Sequence, residues 1–325
     1  MSELNRRDFI KGSLALSAGG AVAAGLGGGR AAADEPAAPK SPAAPADTLP
    51  LGKIGKLQIS RMLLGGNLLS HYTHSRDLNY VYALAAHYNT EAKILETLAL
   101  AEQHGINTMS MHNPDVPIKI LMKHRKQGGK IQWIICPTAE IAPDMKDHEF
   151  QVKQLIDQGA DAIYIWGVRS DPLAAQGKVD LIGKAVEAAK KYNVPCGVGC
   201  HDLNVVIQCE KAQVPADFYI KTFHHHKYPS APKPDQVKGP LCEVPGYWCS
   251  DPKAVIETMK SVEKPWIAFK TMAAGAIPPQ QAFKYCFESG ADHILVGMFD
   301  FEIAQDVKIA KQALDGLSRT RAWKS

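Results

Sequence analysis

From Leu49 to the last residue the chain repeats one alternation eight times: a short apolar or β-branched run, a turn residue, then a segment of helical period. Apolar runs of four to six residues read as strands buried on both faces, and the amphipathic segments between them as crossover helices, so the sheet they build is parallel. Strands are predicted at 62–65, 107–111, 131–136, 162–166, 196–199, 218–222, 266–270 and 293–297, and helices near 90–103, 146–157, 179–191, 203–211, 252–261, 279–289 and 301–317. Eight such units in about 275 residues match a closed (β/α)8 TIM barrel. An open doubly wound sheet is the alternative, but no GxGxxG follows the first strand. Two connections, 67–89 and 223–250, are longer than ordinary loops. Both follow the carboxyl end of a strand, the rim where barrels keep their sites, and both are candidate lids or substrate walls.

Ahead of this domain (49–325) lie two segments of another kind. Residues 1–33 carry Asn5-Arg6-Arg7-Asp8-Phe9-Ile10-Lys11, a weakly apolar Gly/Ala stretch and Ala31-Ala32-Ala33. That is the pattern of a cleavable twin-arginine signal peptide. Residues 34–48 form a Pro/Ala tether too poor in large apolar groups to fold. The expected location is therefore periplasmic, or otherwise exported, and the translocase is a transient partner. Cleavage removes four bases and two acids of the 37 and 33 present, which leaves a net charge of +2. No block of five like charges exists to follow a phosphate backbone, so nucleic acid is not an expected partner. No other segment is apolar for long enough to span a bilayer once the signal is cleaved. Seven cysteines enter an oxidising compartment, an odd number that forbids complete internal pairing. Cys196 and Cys200 read as buried thiols on one face of a strand, and Cys242 with Cys249, around Pro245-Gly246, as the best disulfide pair.

The run Leu51-Gly-Lys-Ile-Gly-Lys-Leu-Gln-Ile-Ser-Arg-Met-Leu-Leu-Gly-Gly66 resembles the opening of an aldo-keto reductase, where a hairpin caps the barrel floor before the first strand. Gly105-Ile106-Asn107 before the second strand continues the likeness, with weaker echoes at 197–199 and 273–275. The resemblance implies a barrel with a capping hairpin and, as an alternative function, NADP-dependent carbonyl reduction. The departures are equally specific. Ser110 stands where the family ends its second strand with Asp, and 111–115 supply no Tyr. Cys136-Pro137-Thr138 replaces the Lys after strand three, and Trp166-Gly167 the His after strand four. The resemblance is thus to a divergent member of that family, one without the usual catalytic tetrad.

Other chemistry-bearing residues occupy the strand ends. His112, Glu140, His201 and His224-His225-His226 follow strands two, three, five and six. Imidazoles with one carboxylate are the ligand set of open zinc, manganese or iron sites. His112, Glu140, His201, His224 and His226 are thus the expected metal ligands, since His224 and His226 share one face of an extended segment. Asp202 is expected to orient an imidazole. Lys270, at the end of strand seven, suits a base, a Schiff-base nucleophile or an anchor for an enolate. Glu140 and Asp202 join it as candidate catalytic groups. Gly275 and Gly297 sit where barrels bind phosphate, or where a nucleotide site persists under the reductase alternative. The sequence thus predicts an exported, metal-assisted barrel enzyme working on a small sugar-like or carbonyl substrate by proton abstraction, isomerase, lyase or hydrolase chemistry. The alternatives are the reductase and a non-catalytic ligand-binding barrel.

Overall fold

Leu51–Ile54 (β1) and Leu57–Ser60 (β2) pair antiparallel with Leu51 opposite Ser60 and Ile54 opposite Leu57. The two-residue turn between them needs positive φ, which Gly55 adopts at +57°. Ile54 and Ile59 are wholly buried and pack with Leu63, Ile134, Phe218, Ile220 and Ile267. The hairpin is therefore a plug that closes one end of the parallel strands. This is a computed structural model that describes residues 48–233, 235–237 and 249–325. The signal segment, all but the last residue of the tether and Cys242, hence the expected Cys242–Cys249 pairing, lie outside the described residues.

Eight parallel strands close a barrel: β3 (Met62–Gly65), β4 (Thr108–His112), β5 (Gln132–Cys136), β6 (Ala162–Ile165), β7 (Cys196–Cys200), β8 (Phe218–Thr222), β9 (Trp266–Phe269) and β10 (His293–Gly297). The closing seam pairs Ile294 with Met62 and Gly297 with Gly65. A Cβ on Gly65 would stand 2.8 Å from the Gly297 nitrogen, so only glycine lets the strands meet there. The predicted α/β TIM barrel and its capping hairpin are the observed fold.

Ten helices surround it among the described residues: α1 (Asn79–Tyr88), α2 (Glu91–Gln103), α3 (Asp115–Lys126), α4 (Lys146–Asp157), α5 (Gly167–Ala175), α6 (Val179–Lys190), α7 (Leu203–Lys211), α8 (Pro252–Lys260), α9 (Pro279–Glu288) and α10 (Asp300–Leu314). Three of these were not expected. α1 carries no charge and only Ala85 on it is buried, so it shows no amphipathic period. α3 opens on Pro114 and Pro117, which read as loop but are tolerated in a first turn. α5 begins at Gly167 and contains Pro172.

Outward-facing strand residues and the inner faces of the helices form a second core that includes Trp133, Trp266, Leu98, Val206 and Phe283. The last residues cross the floor. Arg321 Nη1 donates to Asp292 Oδ2 at 2.6 Å, and Trp323 lies between Arg61 and Arg319, 3.9 and 3.4 Å from its ring centre. Ser325 Oγ meets His293 Nε2 at 2.6 Å, while its carbonyl accepts from Arg61 at 3.0 Å. The six described cysteines are free and buried. No helix among the described residues is long and apolar enough to cross a membrane.

Candidate active site

The carboxyl ends of the strands open on a cavity of about 290 Å³ walled by the 66–74 segment, Val81 of α1 and residues that follow β4, β6, β7, β9 and β10. Most of the lining is apolar; the chemistry is confined to a few side chains.

His201 follows β7 directly and is buried against the start of α5. Its Nδ1 lies 2.7 Å from Asp171 Oδ2, and Asp171 also accepts the amides of His201 and Asp202 at 3.0 Å. The carboxylate is fully buried and can only accept, so Nδ1 carries the proton and Nε2 is left as the basic nitrogen. A buried carboxylate behind an imidazole fixes both its tautomer and its orientation. The loop is held from the other side by Lys221, whose ammonium donates to the His201 carbonyl at 2.7 Å and to Thr222 O and Oγ1.

His112, at the end of β4, lines the same cavity. Its ring stacks on Trp166 with centroids 6.2 Å apart and meets the edge of Tyr72 at 5.3 Å. Burial holds it below the usual histidine range. His74, on the loop after β3, is pushed down to about 3, first by burial and then by the charges of Lys270, His201 and His112. Both therefore act at neutral pH as uncharged polar groups, not as cations.

Lys270 follows β9 with φ +58°, and Ala273, Ala274 and Gly275 continue at +48°, +55° and +82°. Left-handed backbone at non-glycine residues is strained and persists only where the surroundings enforce it. Here the Lys270 carbonyl accepts the Ala273 amide at 3.0 Å and His224 Nδ1–H at 3.1 Å, and Met272 O accepts the Ile277 amide. A side chain on Gly275 would meet nothing within 4 Å.

The predicted site residues therefore divide. His112, His201, Lys270, Gly275 and Gly297 line the cavity. Glu140 does not: it is exposed and stands 3.6 Å from Arg169, which is itself tied to Thr138 O. Asp202 does not orient an imidazole; it caps α7 by accepting the Asn204 amide. Asp171, thirty positions away, does that work. His224 and His226 share a side as expected, with rings 6.0 Å apart, but they face backbone: His226 donates to Cys249 O at 2.6 Å and His224 to Lys270 O. Among the described residues no group of three or more His, Cys, Asp or Glu is placed to hold a metal ion. The expected ligand set is thus not assembled, because two of its imidazoles serve the loops and its carboxylate is in solvent. At the positions of the reductase tetrad, Ser110 is buried, the Cys136 thiol is pushed up to about 12 by burial, and the Trp166 indole N–H is a hydrogen-bond donor that does not ionise. Asp171 was missed, because it precedes a proline and reads as a turn residue.

A family model described as a TAT (twin-arginine translocation) pathway signal sequence matches residues 3–27, so the chain is exported through that pathway. No curated protein matches the sequence. Among solved structures, a Pseudomonas aeruginosa protein assigned as an aldo-keto reductase superposes with a TM-score of 0.58 at 16% identity, over 83% of this chain and 98% of that one. An NADPH-bound variant of the protein Gox0644 superposes with a TM-score of 0.53 at 13% identity, over 84% and 95%. At these identities the likeness is one of fold: this chain carries the barrel that aldo-keto reductases use.

Proposed function

We propose that the protein is an exported oxidoreductase, active in the periplasm, that interconverts a carbonyl and a hydroxyl group on a small molecule. The observation that carries this is the His201–Asp171 pair, an oriented imidazole set into the wall of an otherwise apolar cavity. It supplies the proton-transfer group whose absence from the tetrad positions would otherwise deny the barrel this reaction.

A nicotinamide dinucleotide fits the other wall. Gly65, Gly66 and Gly297 present bare backbone, Gly275 opens on free space, and the left-handed turn 273–275 offers a concave run of backbone beside Lys270. When bound, such a cofactor supplies or takes the hydride. In the reducing direction His201 donates its Nε2 proton to the substrate oxygen and regains one from solvent, while Asp171 stabilises the imidazolium form that precedes transfer. The Lys270 ammonium favours negative charge on that oxygen as it develops. Tyr72, Trp166 and Phe269 exclude water, and neutral His74 and His112 hold the substrate's remaining polar groups by hydrogen bonds. Folded export lets a tightly held cofactor be loaded before translocation. NADPH fluorescence on the mature chain is the test. A saturable change is expected, and no change at millimolar cofactor overturns the proposal.

A further inference from the structure

The first turn of α5 lies against the ring that the proposed reaction uses. Gly167 and Asp171 are four positions apart, so they share one face of the helix, and Ser170 falls on the same side. All three meet the end of β7. Asp171 accepts His201 Nδ1–H at 2.7 Å, Ser170 Oγ donates to Gly199 O, and a Cβ on Gly167 would stand 3.1 Å from both Cε1 and Nδ1 of His201. Ordinary contact between such atoms is about 3.5–4.0 Å, so a side chain there must displace the helix or the imidazole. The helix is pinned: Ser170 ties it to β7, Asp171 also takes the His201 and Asp202 amides at 3.0 Å, and Arg169 donates twice to Thr138 O, at 3.1 and 2.8 Å. The His201 backbone is pinned as well, by Lys221 on its carbonyl at 2.7 Å. What remains is rotation of the ring off Asp171 and toward the cavity. Glycine is a poor helix former, so α5 itself gains nothing from it here.

We propose that Gly167 is a positioning residue: its bare Cα makes the space in which the His201 imidazole lies, while Asp171, one turn on, holds the Nδ1 proton. This rests on the reading of His201 as the proton donor. Asp171 decides which ring nitrogen is protonated; Gly167 decides where the ring can stand, and hence the direction in which Nε2 points. A methyl group at Gly167 makes the ring retreat by roughly half an ångström, which stretches the 2.7 Å bond to about 3.2 Å, the limit of ordinary hydrogen bonding. Proton transfer feels misplacement of this size, since a shift of about 1 Å costs roughly 100-fold in rate. Gly183, inside α6, is the matched control. A Cβ there would meet only Val214 Cγ2, at an ordinary 3.8 Å.

Proton NMR of the mature chain tests this without substrate or cofactor. The His201 Nδ1–H, bonded to a buried carboxylate, is expected at low field in wild type and is assigned by its loss in His201→Gln. Gly167→Ala should move it upfield or broaden it away, and Gly183→Ala should leave it in place. Urea midpoints of both variants should match or exceed that of wild type, since each puts a better helix former into a helix. A resonance unmoved in Gly167→Ala overturns the proposal, and so does one that moves equally in Gly183→Ala. In turnover, Gly167→Ala should lower kcat roughly 10- to 100-fold with KM and NADPH affinity unchanged. A full kcat beside a displaced resonance also overturns it. Should wild type reduce no carbonyl compound, the assigned reaction falls, and with it the role of Gly167 in that reaction, while the resonance still decides whether Gly167 places the ring.

Discussion

At the floor of the barrel, Asp292 is wholly buried yet takes hydrogen bonds from Arg321 at 2.6 Å and from the amides of Trp266 and Lys324, with Arg319 3.6 Å away. At the mouth, His74, His112, His201 and Lys270 crowd one cavity, and the carboxylate that answers them most closely, Asp171, is spent behind His201. The floor joins chain segments far apart in sequence through matched charges. The mouth keeps imidazoles neutral by burying them and holds the backbone after Lys270 in left-handed strain. One end of the molecule is arranged for stability; the other gives some of it up to place polar groups where a substrate can meet them.

The sharpest way to break this comparison is to uncharge the floor. Asp292→Asn leaves Arg321 and Arg319 buried without their counter-charge, and is expected to cost about 3–5 kcal/mol. Urea denaturation should show a much lower midpoint with an unchanged slope; an unmoved midpoint would mean that the floor is not where stability resides. His201→Gln at the mouth should do the reverse. Turnover of carbonyl substrates is expected to fall on the order of 100- to 10,000-fold, the share a positioned proton donor contributes. Its urea midpoint should shift far less than that of Asp292→Asn, and NADPH binding should persist. A variant that keeps full turnover removes His201 from the chemistry.

The two ends also differed in how far they could be read from sequence. The eight strands are continuous apolar runs buried on both faces, such as Ile134-Ile135 and Ile294-Leu295-Val296, and needed only their period and their punctuation. The hairpin plug was visible only through the resemblance of residues 51–66 to the opening of an aldo-keto reductase. At the mouth, residue types were legible and directions were not. Alternation placed His224 and His226 on one side, but which side depends on the turn after β9, whose carbonyl at Lys270 claims one ring. Asp202 beside His201 looked like its partner; the helix that begins at Leu203 claimed it as a cap, and the true partner came from α5, whose internal Pro172 had hidden the helix. The C-terminal clamp on Asp292 left no periodic signal at all, because Arg319, Arg321 and Trp323 act singly.

Acid should separate the two ends next. His74 and His224 are each pushed down to about 3, far below an unfolded histidine near 6.5. In that window the unfolded chain binds protons that the native state refuses. Stability is therefore complete above about pH 6.5 and is lost as pH falls, at about 1.4 kcal/mol per unit for each imidazole. His293 at the floor, pushed down to about 4 by burial, adds to the loss below pH 6. Melting curves between pH 8 and pH 4.5 should show the decline, and His74→Gln should flatten it while changing little at pH 8. An equal slope in that variant would show that the mouth imidazoles do not store this strain.

The smallest effect tests the helix that joins the two ends. α10 begins at the cavity with Glu302, which caps the Phe299 amide at 2.8 Å, and one turn later buries Asp306. Burial first, and the Glu302 charge second, push Asp306 up to about 6. A carboxylate raised in this way acts opposite to the imidazoles. The native state holds a proton that the unfolded state has released, so stability is greatest below the unfolded value near 4, declines between 4 and 6, and carries its full deficit above 6. Asp306→Asn removes the charge and keeps the shape. It should raise stability at pH 8 by on the order of 1 kcal/mol, a few degrees in Tm for a chain of this size, and do almost nothing at pH 4. The same gain at both pH values would mean that packing, not charge, is what Asp306 disturbs. In that case the electrostatic strain of the mouth ends at Glu302 and does not extend along the helix toward the floor.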